Sequence, residues 1–144
     1  MVCPTEGTTT LELMTWNDRY SVGIGLIDSQ HQQLFRLVND LNAVMMGRSE
    51  SGKTVTALDR LSAFSAAHFA HEESLMQTYG YPDFRRHKEE HDDLMNEVKS
   101  LRRDLLSGYI PLELMTAFLK DWLLNHIIAV DKQSGVYLRA AGLE

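Results

Sequence analysis

The sequence predicts an all-α fold, an up-down-up-down antiparallel four-helix bundle, on three observations. All nine glycines and all three prolines fall in gaps that leave four stretches free of both: Leu26–Met46, Lys53–Tyr79, Asp83–Ser107 and Leu112–Ser134. Each stretch is 20 or more residues long, which is helix length and well beyond strand length. Glycine and proline inside a helix cost about 1 and 3 kcal/mol each, so their confinement to the gaps is itself a helical signal. Apolar residues then recur within each stretch at steps of three and four, the rhythm of one buried helix face. Finally, the gaps are short, and short connections make neighbouring helices antiparallel.

Residues 1–25 lack periodicity and read as an arm packed on the bundle of residues 26–144, with Trp16 and Tyr20 as its docking points. The first helix carries His31, Leu34, Val38, Leu41 and Met45 on its inner stripe, with Asp28 as a candidate N-cap. The second carries Leu58, Leu61, Ser65, His68, Glu72, Leu75 and Tyr79, and Gly80 stands where a left-handed C-terminal cap is expected. Asp83, just after Pro82, is the candidate N-cap of the third, whose stripe is Phe84, His87, His91, Leu94, Val98, Leu101 and Leu105 before Gly108. Pro111 opens the fourth, where its missing N–H costs nothing. That helix carries Met115, Leu119, Trp122 and His126, and after Gly135 the segment 136–141 forms a short C-terminal helical turn.

Composition narrows the function. The formal charge is −6, which argues against nucleic acid, whose binding needs a clustered basic face. No apolar run approaches the ~18 residues of a membrane span, and no signal peptide is evident. The single cysteine, Cys3, excludes an internal disulfide and suits a reducing compartment. A cytoplasmic monomer is the expectation. The methionines read as core filler. Arg85, Arg86 and Lys88 beside Glu89 and Glu90 read as a solvated helix face, with Asp92 and Asp93 the same.

The inner stripes carry an anomaly. An apolar stripe holds titratable groups only when something pairs them, yet five of the six histidines lie on these stripes, together with Glu72. His68 and Glu72 are four residues apart, stacked one turn apart, and His87 and His91 repeat that spacing on the next helix. With His31 and His126 they converge from four helices, which is the geometry of a metal site. Asp131 follows His126 by five residues, about 140° out of phase in a regular helix. For Asp131 to join the others, the fourth helix must be irregular or end there, a π-bulge being one such device. The sixth histidine, His71, lies off the stripe; it reads as a solvent-facing flank, with a proton-relay role as the alternative.

Five imidazoles and two carboxylates exceed the four ligands of one zinc and suit two metals bridged by carboxylates. Iron, manganese and zinc all fit such donors. No histidine has a glutamate three residues before it, so the ferritin-like di-iron pattern is absent. Fewer anionic ligands favour reversible oxygen binding over O–O cleavage.

At these residues the sequence resembles the hemerythrin family, and within it the bacterial hemerythrins. The matching segments are IDSQHQQLF around His31, HFAHEESLM around His68 and Glu72, YPDFRRHKEEH around His87 and His91, and WLLNHIIAVDK around His126 and Asp131. The resemblance spans roughly residues 14–140. It implies two iron ions beside an oxo or hydroxo bridge, one held by His87, His91 and His126 and the other by His31 and His68. Glu72 and Asp131 would bridge them, and the two-histidine iron would keep a position open for dioxygen. It further implies an apolar oxygen pocket of Leu34, Phe69, Trp122, Leu123 and Ile127, with Trp16 packing near the site. One departure is Ser134, where bacterial members often carry an aromatic residue; it puts the end of the fourth helix and solvent access in question.

The function implied is reversible dioxygen binding for carriage, storage or delivery, not enzymatic turnover, with a weak peroxidase-type side activity allowed. Two alternatives stand. One is an oxygen- or redox-sensing input domain of a longer signalling protein. The other is a di-iron enzyme acting on peroxide or nitric oxide. Beyond dioxygen, an oxygen-using enzyme or a signalling partner is open.

Overall fold

The structure is a computed structural model that describes residues 12–47, 51–108 and 112–144. Cys3 and Pro111 lie outside the described residues. A single turn at Asp18–Tyr20 leads into α1 (Gly25–Met46), α2 (Ser51–Thr78), α3 (Phe84–Ser107) and α4 (Leu112–His126). A five-residue π turn, Ile127–Asp131, joins α4 to α5 (Lys132–Ala140), and no strand occurs among the described residues. Helix α1 packs on α2 and α4, α2 on α3, and α5 returns to α2. The predicted four-helix bundle is present, with the irregular arm and short C-terminal helix.

One half of the bundle is an apolar core. Leu34, Val38 and Leu41 of α1 meet Leu58 and Leu61 of α2, Leu94 and Val98 of α3, and Met115 and Leu119 of α4. The other half is closed by a smaller cluster of Val22, Ile24, Ile27 and Leu138. The histidine layer lies along the same helix stripes, flanked by Leu34 and Ile27 on α1, so it is enclosed by apolar packing.

Helix ends follow local chemistry, with two corrections. Gly80 takes a left-handed φ of 68°, and the N–H of Tyr81 bonds the Met76 carbonyl at 2.8 Å while that of Gly80 bonds Gln77 at 3.2 Å. This is a Schellman ending, which only glycine enters cheaply. Gly108 closes α3 in the left-handed region as expected, and Asp83 holds the N-cap position of α3 without a side-chain cap bond. Asp28, however, is not the cap of α1. The cap residue is Ile24, and Asp28 sits in the first turn, where it accepts from the Val22 N–H at 2.8 Å and from the Ser21 hydroxyl. Its carboxylate is used to turn the arm into the helix.

Gly135 is the second correction. The chain does not break there: α5 runs through it to Ala140. A Cβ at Gly135 would lie 2.8 Å from the Val22 carbonyl oxygen, so glycine is present for close backbone approach and not to end a helix. The Tyr137 hydroxyl donates to the Tyr79 carbonyl at 2.8 Å, tying α5 to the end of α2. The arm is tied at its other end, where Asn39 exchanges two 2.8 Å hydrogen bonds with the Met14 backbone. Trp16, Tyr20 and Phe35 form an aromatic cluster with centroids 5.3–5.8 Å apart.

Candidate metal centre

Each helix delivers its polar residues by simple register. His31 comes from α1, His68 and Glu72 from successive turns of α2, His87 and His91 from successive turns of α3, and His126 from the last turn of α4. Asp131 comes from the π turn. All seven are between 0% and 3% exposed. The structure therefore brings together every polar donor that the stripes singled out, and the π turn adds Asp131 to them.

The two carboxylates divide their oxygens between two groups of imidazoles. Glu72 Oε2 lies 3.4 Å from His31 Nε2 and 3.2 Å from His68 Nε2, while its Oε1 lies 3.2 Å from His91 Nε2 and 3.5 Å from His87 Nε2. Asp131 repeats the division. Its Oδ2 is 3.1 Å from His31 Nε2, and its Oδ1 is 3.0 Å from His87 Nε2 and 3.1 Å from His126 Nε2. Two donor sets result, each within 4.8 Å: Glu72, His87, His91, His126 and Asp131, and His31, His68, Glu72 and Asp131.

This cluster suits cations and is poorly satisfied without them. Both ring nitrogens of His31 and His87, Glu72 Oε1 and both Asp131 oxygens are buried with no aligned hydrogen-bond partner among the described residues, whereas buried polar atoms are nearly always paired. His91 Nε2 and His126 Nε2 face each other at 3.1 Å. Burial alone pulls the His31 imidazolium down, but its contacts with Asp131 and Glu72 reverse this and push it up to about 10. His87 goes the same way, to about 9. Burial pushes Glu72 up, yet the surrounding imidazoles, His68 foremost, hold it well below the usual carboxylate range. Asp131 is likewise low against both burial and Glu72, through His126 and His31. In the metal-free protein, protons on imidazole do what cations would do.

Outside the cluster, polar neighbours fix three rings. His68 Nδ1–H donates to Gln30 Oε1 at 2.7 Å, His91 Nδ1–H to Glu73 Oε2 at 2.8 Å, and His126 Nδ1–H to Glu90 Oε1 at 2.9 Å. That tautomer leaves each Nε2 lone pair facing inward. Glu90 is thus not simply part of a solvated face, because it reaches across to α4. Gln30 and Glu73 had no role in the sequence reading. Their signal was adjacency: each of the three directly precedes or follows an inward His or Glu. His71 stays half-buried outside the cluster, its Nδ1 3.3 Å from the same Gln30 oxygen. Aromatic faces lock two more degrees of freedom, Phe69 stacking on His91 at 3.9 Å and Trp122 on His126 at 4.5 Å.

Beside the cluster is a narrow cavity of about 20 Å³ lined by Leu34, Val38, Leu61, Ser65, Phe69, Leu94, Val98, Leu119, Trp122 and Leu123. Four of the five residues expected of an apolar pocket are on its wall. Ile127 is not: it lies in the π turn, fully buried in the core. Ser65 brings the only hydroxyl. Ser134 is buried, its hydroxyl donating to the Asp131 carbonyl at 3.0 Å. It braces the π turn.

Fold and site together define a four-helix-bundle protein with a histidine-rich, carboxylate-sharing cation site. A family model described as the hemerythrin HHE cation binding domain matches residues 22–133, and the chain belongs to the hemerythrin family. It is similar to the bacteriohemerythrin of Methylococcus capsulatus, 40% identical over 134 residues that cover 90% of this chain and all of that one. It is also similar to the myohemerythrin of Sipunculus nudus, 28% identical over 81% of this chain and 86% of that one. A wild-type hemerythrin crystal structure superposes with a TM-score of 0.79 at 36% identity, covering 88% of this chain and 98% of that chain.

Proposed function

We propose that the protein binds dioxygen reversibly at two iron ions. His87, His91 and His126 would hold one and His31 and His68 the other, with Glu72 and Asp131 shared. The observation that carries this reading is the division of each carboxylate's oxygens between the two imidazole groups. A carboxylate serving one ion has no need to present its second oxygen to a separate group of histidines.

Two bound iron ions would supply the electrons for reversible dioxygen binding. The chain does the rest. Its two donor sets are unequal, five residues against four, so an ion held on the His31–His68 side would have one protein ligand fewer, and that is the side on which a small molecule would bind. Leu34, Phe69 and Leu123 wall the adjacent cavity with hydrocarbon, keeping out water and bulky reductants. At about 20 Å³ the cavity has room for one small molecule. No helix of the described residues is long and apolar enough to cross a membrane.

The test is the visible spectrum of anaerobically reduced, iron-loaded protein, with metal analysis, through cycles of dioxygen addition and removal. The expected result is a charge-transfer band that appears with dioxygen and vanishes on its removal, at two irons per chain. Conversion to a stable oxidised form that never reverses would instead make this an enzyme or a redox sensor.

A further inference from the structure

When Nε2 of an imidazole faces a cation, Nδ1 carries the proton and becomes an obligatory donor. The acceptor it meets governs the ring. A carboxylate draws that proton toward itself and makes the ring a stronger, more anionic donor, whereas a neutral amide oxygen does so weakly. The two sides of this site are treated differently. On the three-histidine side, His91 meets the Glu73 carboxylate and His126 the Glu90 carboxylate, at 2.8 and 2.9 Å. On the two-histidine side, His68 meets only the Gln30 amide oxygen, which it shares with His71. One ring on each side, His31 and His87, has no Nδ1 partner among the described residues, so the sides differ by two carboxylates against one amide.

The carboxylates also act across helix boundaries. Glu73 extends from α2 to a histidine of α3, and Glu90 from α3 to a histidine of α4. Each ties a donor ring to the neighbouring helix, so this side is held in position before any cation arrives. On the other side the one such tie, from Gln30 of α1 to His68 of α2, is uncharged.

We infer that Glu73 and Glu90 are positioning residues that make the His87–His91–His126 side the tighter of the two cation sites. Cations therefore bind in order, and the Gln30-backed side fills second and empties first. This rests on the dinuclear reading above.

The test is an anaerobic titration of the metal-free full chain with Co(II). Calorimetry reads the affinities, and proton NMR counts the hyperfine-shifted exchangeable imidazole N–H signals. Wild type is expected to bind in two steps, with three shifted N–H signals at one equivalent and two more at the second. Glu73→Gln and Glu90→Gln should each weaken the first step by about 10- to 100-fold, with the second step little changed. Gln30→Glu should strengthen the second step, and it decides the matter if either glutamate variant loses its helical circular dichroism. Five N–H signals rising together in wild type, or a first step indifferent to both glutamates, overturns the assignment. A wild-type chain that binds no cobalt refutes the dinuclear reading itself.

Discussion

His126 Nε2 lies 3.1 Å from Asp131 Oδ1 although the two residues are five apart in sequence. The intervening backbone is wound wide, as a π turn over Ile127–Asp131 closed by the Lys132 N–H on the Ile127 carbonyl. A regular helix would turn Asp131 about 140° away from His126. The extra residue in the turn cancels that phase error, and α5 continues in regular geometry beyond it.

The π turn makes position 131, not 130, the carboxylate position. In a regular helix residue 130 would stack over His126. The double exchange Val130→Asp with Asp131→Val keeps composition unchanged and moves the carboxylate by one residue. Metal analysis after desalting should show wild type with two irons and the exchange variant with no more than one, as for Glu72→Ala. Two irons in the exchange variant would mean that the turn is not fixed.

The metal-free protein should lose stability as pH rises. His31 and His87 have folded values of about 10 and about 9, above the ordinary 6.5. Their contribution is therefore full below pH 6.5 and disappears as pH climbs through those values. Glu72 and Asp131 are shifted downward from 4.5 and 3.8, so their contribution is full above those values and lost only in acid. Melting temperature of the metal-free chain should thus peak at mildly acidic pH and fall toward pH 10. The metal-loaded chain, whose imidazoles carry no such protons, should not fall with it. Equal profiles for the two forms would remove the imidazolium–carboxylate cluster as the cause.

Cavity polarity should set the autoxidation rate. Leu123 and Ser65 both line the cavity, one with hydrocarbon and one with a hydroxyl able to donate a proton. Leu123→Asn should leave two irons bound and speed loss of the oxygenated spectrum about tenfold, equivalent to ~1.4 kcal/mol in the barrier. Ser65→Ala should slow it. Unchanged rates in both would mean that this cavity is not where dioxygen sits.

Gly135→Ala should destabilise the fold, because its methyl would meet the Val22 carbonyl at 2.8 Å and backbone cannot swing aside as a side chain can. Overpacking of this kind costs about 1–3 kcal/mol, read as a lower melting temperature. Gly52→Ala is the control: no described residue lies within 4 Å of that position, so no loss is expected.

Most of the bundle was legible because its signals are local. Glycine and proline positions and the three-four rhythm placed α1, α2 and α3 to within two residues at both ends, and the start of α4 but not its end. Gly80 and Gly108 capped α2 and α3 as their residue type implied. The same rhythm selected His31, His68, Glu72, His87, His91 and His126, because a polar side chain on an apolar stripe is visible without knowing what faces it. What misled were residues with two uses. Asp28 has the chemistry of an N-cap but turns the arm, and Gly135 has that of a helix breaker but serves a close contact.

The sequence by itself therefore determined the four helices, their inner faces and six of the seven buried donors, since helical periodicity depends only on neighbours three and four residues away. Only the tertiary structure decided which imidazole each carboxylate oxygen serves. It alone assigned Gln30 to His68, Glu73 to His91 and Glu90 to His126, contacts that span 18 to 38 residues. It also set the width of the turn that brings Asp131 into the group. The physical reason is that these contacts depend on the relative rotation and height of packed helices, which no single helix's periodicity encodes.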